Sequence, residues 1–307
     1  MLKEILILTC CCTLFFGTVS GAQPNKISEL RSAAQKGNAE AQFILGGKYY
    51  SGDGVKQNYL DAAKWVRLAA EQGLAKAQCN LGELYFKGQG ISQNYTEAAK
   101  WFRLAALQGM PEAQYNLGVS YAAGKGVVQD LSEAVKWYRI AAIQGDEKAQ
   151  YNLGVSYAEG KGVVQDLSEA VKWYRTAADQ GHSMAQNNLG VMYAKGSGVA
   201  QNYTEAAKWF RLAATQGNVK AQITLGLMHE KGYGVAKNVT EACNWYKLAA
   251  ANGSQIAQKK LVELGKGNAF NDSKFSSANQ LALDHAHAHA HAHAHESGYV
   301  HLRTISN

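Results

Sequence analysis

Apolar residues recur along this chain with the spacing of an α-helix, and the spacing restarts at a fixed interval. Between Pro111 and Ala122, the residues Ala113, Leu117 and Tyr121 follow one another at every fourth position. This spacing places the three side chains on one face of a helix. The same pattern recurs every 36 residues along most of the chain. The pattern therefore predicts a first helix in each repeated unit.

A second helix is predicted after a Gly-x-Gly turn in every unit. Asp130 is a favourable N-cap, and Glu133, three residues later, suits the positive end of a helix. Trp137 lies on the apolar face, and Gly145 is placed for a left-handed C-cap. We interpret Gly-x-Gly as a structural turn, because a dinucleotide loop requires a strand before it. Each unit therefore reads as helix-turn-helix.

The six tryptophans of the chain mark the repeat. Each follows the last by 36 residues: Trp65, Trp101, Trp137, Trp173, Trp209 and Trp245. Alanine and aromatic residues are their neighbours on the helical wheel, so we assign them to packing between helices rather than to a stacking platform. A fixed period of this size predicts an all-α solenoid, which needs no single large core.

Six full units of 36 residues cover residues 38–253, and a half-repeat flanks them on each side. We expect a lone second helix at 26–37 and a lone first helix at 254–267 to cap the array. Repeats three and four differ at only six aligned positions, among them Ile140/Thr176 and Ile143/Asp179, as a recent duplication would leave them.

The repeated pattern carries a family resemblance. The motif A-Q-x-x-L-G-x-x-Y-x-x-G-x-G-V-x-x-[ND]-x-x-E-A-x-K-W-[YF]-x-x-A-A-x-Q-G over residues 26–267 resembles the Sel-one-like repeat, a relative of the tetratricopeptide repeat. The resemblance implies a right-handed α-solenoid whose first helices line a concave surface, and a non-catalytic adaptor that holds other proteins together. One secreted, cysteine-rich branch of the family is linked to penicillin binding and hydrolysis, so the alternative is a β-lactam or cell-wall hydrolase. That branch pairs cysteines within each repeat, and this chain lacks such pairs.

The two ends of the chain depart from the repeat. Residues 1–22 combine Lys3, an apolar stretch at 5–16 and small residues at the end, which predicts a signal peptide cleaved after Gly21 or Ala22. We therefore expect a secreted or periplasmic protein. Residues 268–307 are polar and lack the helical spacing, which predicts a disordered tail.

Charge changes this picture little. The net charge is +7 and the pI is about 9.0, but the basic residues of the second helices lie near an acid three residues before each lysine. These basic residues are Lys64, Lys100, Lys136, Lys172 and Lys208, with Arg67, Arg103, Arg139, Arg175 and Arg211. We interpret them as a solvated face and expect no nucleic-acid partner, with docking to an acidic surface or anionic lipid as the alternative.

Partner binding is predicted on the first helices, away from the apolar face. Asparagine offers a donor and an acceptor to a peptide backbone, and tyrosine adds rigid apolar area. We expect other proteins or extended peptides to bind a monomer at Asn80, Tyr115, Asn116, Val119, Tyr151, Asn152, Val155 and Asn188. Two alternatives remain: the asparagines satisfy polar groups between repeats, or duplication alone explains their recurrence.

A run of alternating histidine and alanine in the tail is a second candidate site. Its six histidines are His285, His287, His289, His291, His293 and His295. Neutral imidazole binds divalent zinc, nickel or copper, so the run predicts weak metal binding. Repeat expansion or adventitious binding is the alternative. We find no hydrolase, zinc-protease or phosphate-loop motif, and we predict neither a catalytic residue nor a cofactor.

Overall fold

A computed structural model describes residues 24–267, where fourteen α-helices follow one another and no strand occurs. The helices are α1 (Pro24–Gln35), α2 (Ala39–Ser51), α3 (Tyr59–Glu71), α4 (Ala75–Lys87), α5 (Tyr95–Leu107), α6 (Pro111–Ala123), α7 (Leu131–Ile143), α8 (Glu147–Glu159), α9 (Leu167–Asp179), α10 (Ser183–Lys195), α11 (Tyr203–Thr215), α12 (Val219–Lys231), α13 (Val239–Ala251) and α14 (Gln255–Gly267). The predicted signal peptide at 1–22 and the predicted tail at 268–307 lie outside the described residues.

Most helices that are adjacent in sequence pack against one another. Pairs within a repeat, such as α2 with α3 and α6 with α7, are in contact, and so are pairs that link repeats, such as α3 with α4 and α5 with α6. This pattern confirms an all-α solenoid of six repeats. Its predicted right-handed twist stays an expectation.

The chain divides into two compact units. Of the described residues, the first unit holds 24–149 together with 161–163, and the second holds 150–160 together with 164–267. The first therefore contains α1 to α7, and the second contains most of α8 and all of α9 to α14.

Caps fix the ends of the helices as the sequence predicted. The Asp130 carboxylate accepts hydrogen bonds from the backbone N–H groups of Ser132 and Glu133, at 2.9 and 3.0 Å, which satisfies donors that a helix start leaves unpaired. Gly124 ends α6 in the left-handed conformation, with a φ of 64°. Equivalent Asn or Asp caps begin the other second helices.

Close approach explains two of the recurring glycines. A Cβ on Gly118 would lie 2.7 Å from the ring of Tyr138, and one on Gly126 would lie 1.9 Å from the carbonyl oxygen of Tyr95. Gly118 thus lets the two helices of one repeat pack closely, while Gly126 lets the turn of one repeat rest on the second helix of the repeat before. Gly-x-Gly is therefore a structural turn.

Each tryptophan of the first unit packs between repeats. Trp101 on α5 packs against the cluster that contains Val66 of α3, and Trp137 on α7 packs against the cluster that contains Phe102 of α5. The tryptophan period is therefore the period at which one second helix contacts the next.

Candidate functional site

A glutamine bridge joins neighbouring repeats and was assigned no role from the sequence. The Gln114 side chain donates from Nε2 to the carbonyl oxygen of Ala106, at 3.1 Å, and accepts through Oε1 from Nε2 of Gln144, at 2.7 Å. The same pair recurs as Gln72–Gln42, Gln108–Gln78, Gln180–Gln150 and Gln216–Gln186. The Ala-Gln and Gln-Gly dipeptides that contain these glutamines recur in the sequence, and this recurrence is the feature from which the bridge could have been predicted.

The basic residues of the second helices have local partners. Lys100 and Lys136 lie 2.6 and 2.5 Å from the carboxylates of Glu97 and Glu133, three residues before them. The arginines reach the next repeat: Nη2 of Arg67 donates to the hydroxyl of Tyr85 at 2.8 Å, and the guanidinium lies over that ring. Exposed pairs of this kind contribute little to stability. The solvated-face interpretation holds for the lysines, whereas the arginines also join repeats.

Four of the predicted partner-binding residues are buried, so their predicted orientation away from the core is wrong. These residues are Asn80, Tyr115, Asn116 and Val119, all in the first unit.

The Tyr115 ring lies 6.1 Å from that of Tyr138 on the second helix of its own repeat. Asn116 is only 2% exposed, and its Nδ2 faces the Cys79 sulfur of the preceding repeat at 3.9 Å. A first helix is covered by its own second helix and by the neighbouring repeats, so a helical wheel with one apolar face underestimates its burial.

The other four predicted residues, all in the second unit, are partly exposed. They are Tyr151, Asn152 and Val155 on α8 and Asn188 on α10. Tyr151 stacks on His182 with ring centroids 4.7 Å apart, and Asn188 hydrogen-bonds with the side chains of both Tyr151 and Tyr174. The structure therefore brings Tyr151 and Asn188 together.

These tyrosines are neutral at physiological pH. Burial raises the pKa of Tyr151 above its ordinary value of 10.0, against the hydrogen bond with Asn188, which lowers it. Burial also raises the pKa of Tyr174. The cluster therefore offers uncharged donors and acceptors.

The partly exposed surface continues on the next two first helices. The residues of α12 equivalent to Tyr151, Asn152 and Val155 are Ile223, Thr224 and Leu227, and none of these was predicted from the sequence. We define the first-helix face of the second unit as Tyr151, Asn152, Val155, Asn188, Val191, Ile223, Thr224 and Leu227, none of which is buried. The set contains aliphatic, aromatic and neutral polar side chains without a formal charge.

The described residues contain neither a candidate metal site nor a disulfide. No group of His, Cys, Asp and Glu able to hold a metal ion occurs in residues 24–267. The predicted metal site from His285 to His295 lies outside them. Cys79 and Cys243 carry buried thiols rather than a disulfide.

A helical repeat array with these caps, glycines and bridges defines a class of solenoid proteins, and a family model identifies which one. The model described as Sel1 repeat matches six consecutive stretches, at residues 39–74, 75–110, 111–146, 147–182, 183–218 and 219–254. This chain therefore belongs to the Sel1 repeat family.

Solved structures of the same family resemble the chain. One is c5321, described as a protective antigen present in uropathogenic Escherichia coli strains with an SLR fold. It has 37% sequence identity and a TM-score of 0.76 over 87% of this chain and 56% of that one. The chain thus spans little more than half of that structure's length.

A second solved structure, a Sel1 repeat protein from Oxalobacter formigenes, has 36% identity and a TM-score of 0.65 over 75% of this chain and 97% of that one. No match was found among curated proteins. Sel1 repeat proteins are scaffolds that generally mediate protein interactions, and the described part of this chain has their architecture.

Proposed function

We propose that this protein is an exported, non-catalytic adaptor that binds an extended segment of another protein on the first-helix face of the second unit. The observation that carries the proposal is the partial exposure of Tyr151, Asn152 and Asn188 on neighbouring helices. Residues equivalent to Tyr151 and Asn152 are buried in the repeat before, so accessibility favours the second unit.

The chemistry of this face suits a peptide backbone. Asn152 carries an amide that can donate and accept, as a backbone requires. Val155 and Leu227 add aliphatic area beside it, and the stacked Tyr151 ring is held in one orientation by His182. Because the face carries no formal charge, affinity would come from hydrogen bonds and apolar contact rather than from long-range attraction.

Export rests on the amino-terminal sequence. Residues 1–22 have the positive start, apolar stretch and small residues of a cleaved signal peptide. The E. coli relative is described as a protective antigen, which accords with export. We propose a secreted or periplasmic location, and a monomer.

Affinity capture from envelope and culture extracts tests the adaptor role. The bait is the mature chain from Gln23, and the test variant combines Asn152→Arg with Val155→Arg. The matched control combines Thr176→Arg with Asp179→Arg, which adds the same side chains to exposed positions of α9 in the same unit. Circular dichroism confirms that both variants remain helical.

We expect one protein to be captured by the wild type and by the α9 control and to be lost from the test variant. Two arginines on this face should suffice to prevent binding, because a few well-placed residues carry most of the binding energy of an interface. Capture of the same protein by the test variant would contradict partner binding at the first-helix face.

The hydrolase alternative has a direct test. The Sel1 repeat family is typically a non-enzymatic scaffold, and we propose that this member follows it. Purified mature protein is expected to hydrolyse nitrocefin no faster than buffer. Turnover that scales with protein concentration would contradict the proposal.

Weak divalent metal binding by the histidine run is a separate proposal, motivated by its six histidines. Calorimetry with zinc or nickel would compare the mature chain with one that ends at Gly267. Heat of binding is expected only for the mature chain, and equal binding by both would remove the tail from consideration.

A further inference from the structure

Four large aliphatic side chains are exposed on the two helices α5 and α7. Leu104 and Leu107 are 45% and 69% exposed, and Ile140 and Ile143 are 43% and 72% exposed. Each pair is three residues apart on its helix, so its members are neighbours on one face. The two helices are adjacent, because Trp137 of α7 packs against the core cluster of α5. We define these four residues as the aliphatic patch.

The fold does not require the aliphatic patch. Repeat four is nearly identical to repeat three, yet it has Thr176 and Asp179 at the positions of Ile140 and Ile143. Both residues are exposed, and α9 has the same length and the same Asp cap as α7. Exposed apolar residues that are not needed for packing often mark an interaction surface. The aliphatic patch is therefore a candidate binding surface.

Positive charge coincides with the patch. Exposed Lys100 and Arg103 on α5, like exposed Lys136 and Arg139 on α7, are opposed by one glutamate in each helix. Counted over its own residues, each of these two helices therefore has a net charge of +1 (two basic residues, one acidic), and the Asp130 cap adds one acid before α7.

Net charge differs in the second helices that have an acid at the position equivalent to Leu107. Glu71 in α3 and Asp179 in α9 bring the charge of those helices to zero, with two basic and two acidic residues in each. α11 has the same net charge but carries Thr215 at the equivalent of Leu107, so α5 and α7 differ from it in combining two exposed aliphatic residues with a positive helix charge.

We propose that the aliphatic patch and its basic neighbours dock this protein on an anionic lipid surface. Leu107 and Ile143 would enter the boundary between headgroups and acyl chains, and the exposed Lys100 and Lys136 would lie at the lipid phosphates. The long basic side chains can extend toward the headgroups while their stems cover apolar area. Docking of this kind is peripheral, since no helix in residues 24–267 is long and apolar enough to cross a membrane.

Charge favours a lipid surface over a second copy of this chain. Two copies joined at the patch would bring like-charged helices together, which repel each other. An anionic bilayer attracts the same residues, and each basic group near such a surface adds to the affinity. The proposal concerns the first unit and does not depend on partner binding by the second.

Vesicle sedimentation tests the proposal with the mature chain from Gln23. The probes are vesicles of phosphatidylcholine alone and vesicles in which phosphatidylglycerol replaces about one third of it, both at low salt. The test variant combines Ile140→Thr with Ile143→Asp, so that repeat three carries residues that repeat four already accommodates. The reverse variant combines Thr176→Ile with Asp179→Ile.

A third variant, Lys100→Gln with Lys136→Gln, tests the charge. The wild type is expected to sediment with the anionic vesicles and not with the neutral ones. The test variant should bind at least about tenfold more weakly, because it loses two aliphatic contacts and gains an acid. The lysine variant should bind more weakly in proportion to the lost charge, and the reverse variant should retain binding or bind more tightly.

Several outcomes would overturn the proposal. One is the absence of sedimentation with anionic vesicles. Another is equal binding by the wild type and the Ile140→Thr/Ile143→Asp variant, which would show that the aliphatic patch does not contact the lipid. Self-association in analytical ultracentrifugation that this variant abolishes would assign the patch to a second copy instead.

Discussion

At the scale of single residues, two glycines of the first unit are required for different reasons. Gly126 has a φ of 76°, and a Cβ there would lie 1.9 Å from a backbone oxygen of the preceding repeat. Gly145 has a φ of 99°, but no atom lies within 4 Å of its added Cβ. At position 126 both a steric clash and the left-handed backbone disfavour a side chain. At position 145 only the left-handed backbone does so.

Replacing these glycines separates the two causes. Gly145→Ala should lower the free energy of unfolding by about 1 kcal/mol, the cost of a left-handed alanine. Gly126→Ala should cost about 3 kcal/mol or more, because a backbone contact between repeats must also open. Urea denaturation followed by circular dichroism measures both, and equal losses would contradict the close contact with Tyr95.

Asp146 is predicted to make stability depend on pH. It caps α8 by accepting a hydrogen bond from Ala149 N–H at 2.7 Å. Burial raises its pKa from 3.8 to about 6, although the bond from Ala149 and the charge of Lys148 oppose the rise. Because the folded state then holds its proton more tightly than the unfolded chain, this residue's contribution to stability falls as the pH rises from 3.8 to about 6.

Asp146→Asn should therefore stabilise the protein above pH 6 by about 1–2 kcal/mol, with the gain disappearing near pH 4. Asparagine caps the equivalent helices at Asn38 and Asn218, so the cap itself is retained. Thermal unfolding at both pH values measures the difference, and a gain that does not change with pH would show that burial of the charge is not its cause.

Asp130→Asn is the matched control with the opposite sign. Hydrogen bonds from the Glu133 and Ser132 backbones and from the Ser132 hydroxyl lower the pKa of Asp130. The ionised form therefore stabilises the fold, and that contribution is lost as the pH falls. The Asp130→Asn variant should gain nothing at neutral pH.

At the scale of helices, local pattern predicted the elements, whereas exposure depended on neighbours. Caps such as Asp130 and apolar spacing such as Ala113 to Leu117 lie within one unit of sequence, so the helix pairs could be found from it. Tyr115, Asn116 and Val119 have the same identities as Tyr151, Asn152 and Val155. The first three are buried and the second three are partly exposed, so no rule based on local sequence could have distinguished them.

The glutamine bridges are a further contact that the sequence did not predict, and they should contribute to coupling between helices. Gln114→Leu would remove the side-chain donor from the Ala106 carbonyl, which keeps the bond from Gly109 N–H, and would remove one acceptor from the Gln144 amide. Because Gln114 is buried, we expect a loss of about 1–3 kcal/mol.

Gln144→Ala is the matched comparison, since Gln144 is exposed and water can replace its bond. Its cost should be smaller, about 0.5–1 kcal/mol. Urea denaturation of the two variants measures the difference, and an equal effect would argue that the bridge is not the source of the loss.

At the scale of the whole molecule, α14, the last helix in the described part of the chain, is a modified first helix. The position of Gly226 in α12 is occupied in α14 by Val262, which is exposed. A side chain at this position would obstruct a following second helix as closely packed as those in the repeats, where an added Cβ would lie 2.7–2.9 Å from a side chain of the second helix. The substitution is therefore suited to the last helix of the array.

Removal of α14 should expose the core of the last repeat. Ala257 is buried beside Ala242, Tyr246 and Ala249, with Leu261 and Leu264 packed on the same cluster. A chain that ends at Gly253 should unfold at a lower temperature and aggregate sooner than one that ends at Gly267, because terminal repeats need a cap. Light scattering during thermal unfolding compares the two, and identical profiles would contradict a capping role.

The adaptor role is tested most directly by photo-crosslinking in living cells. A photo-reactive phenylalanine derivative replaces Asn152 on the first-helix face, or Thr176 on α9 in the control chain. The account predicts one crosslinked protein from position 152 and none of that mass from position 176. Crosslinking of the same protein only from position 176, or no crosslink from position 152 while the chain is folded and exported, would contradict a partner site on the first helices.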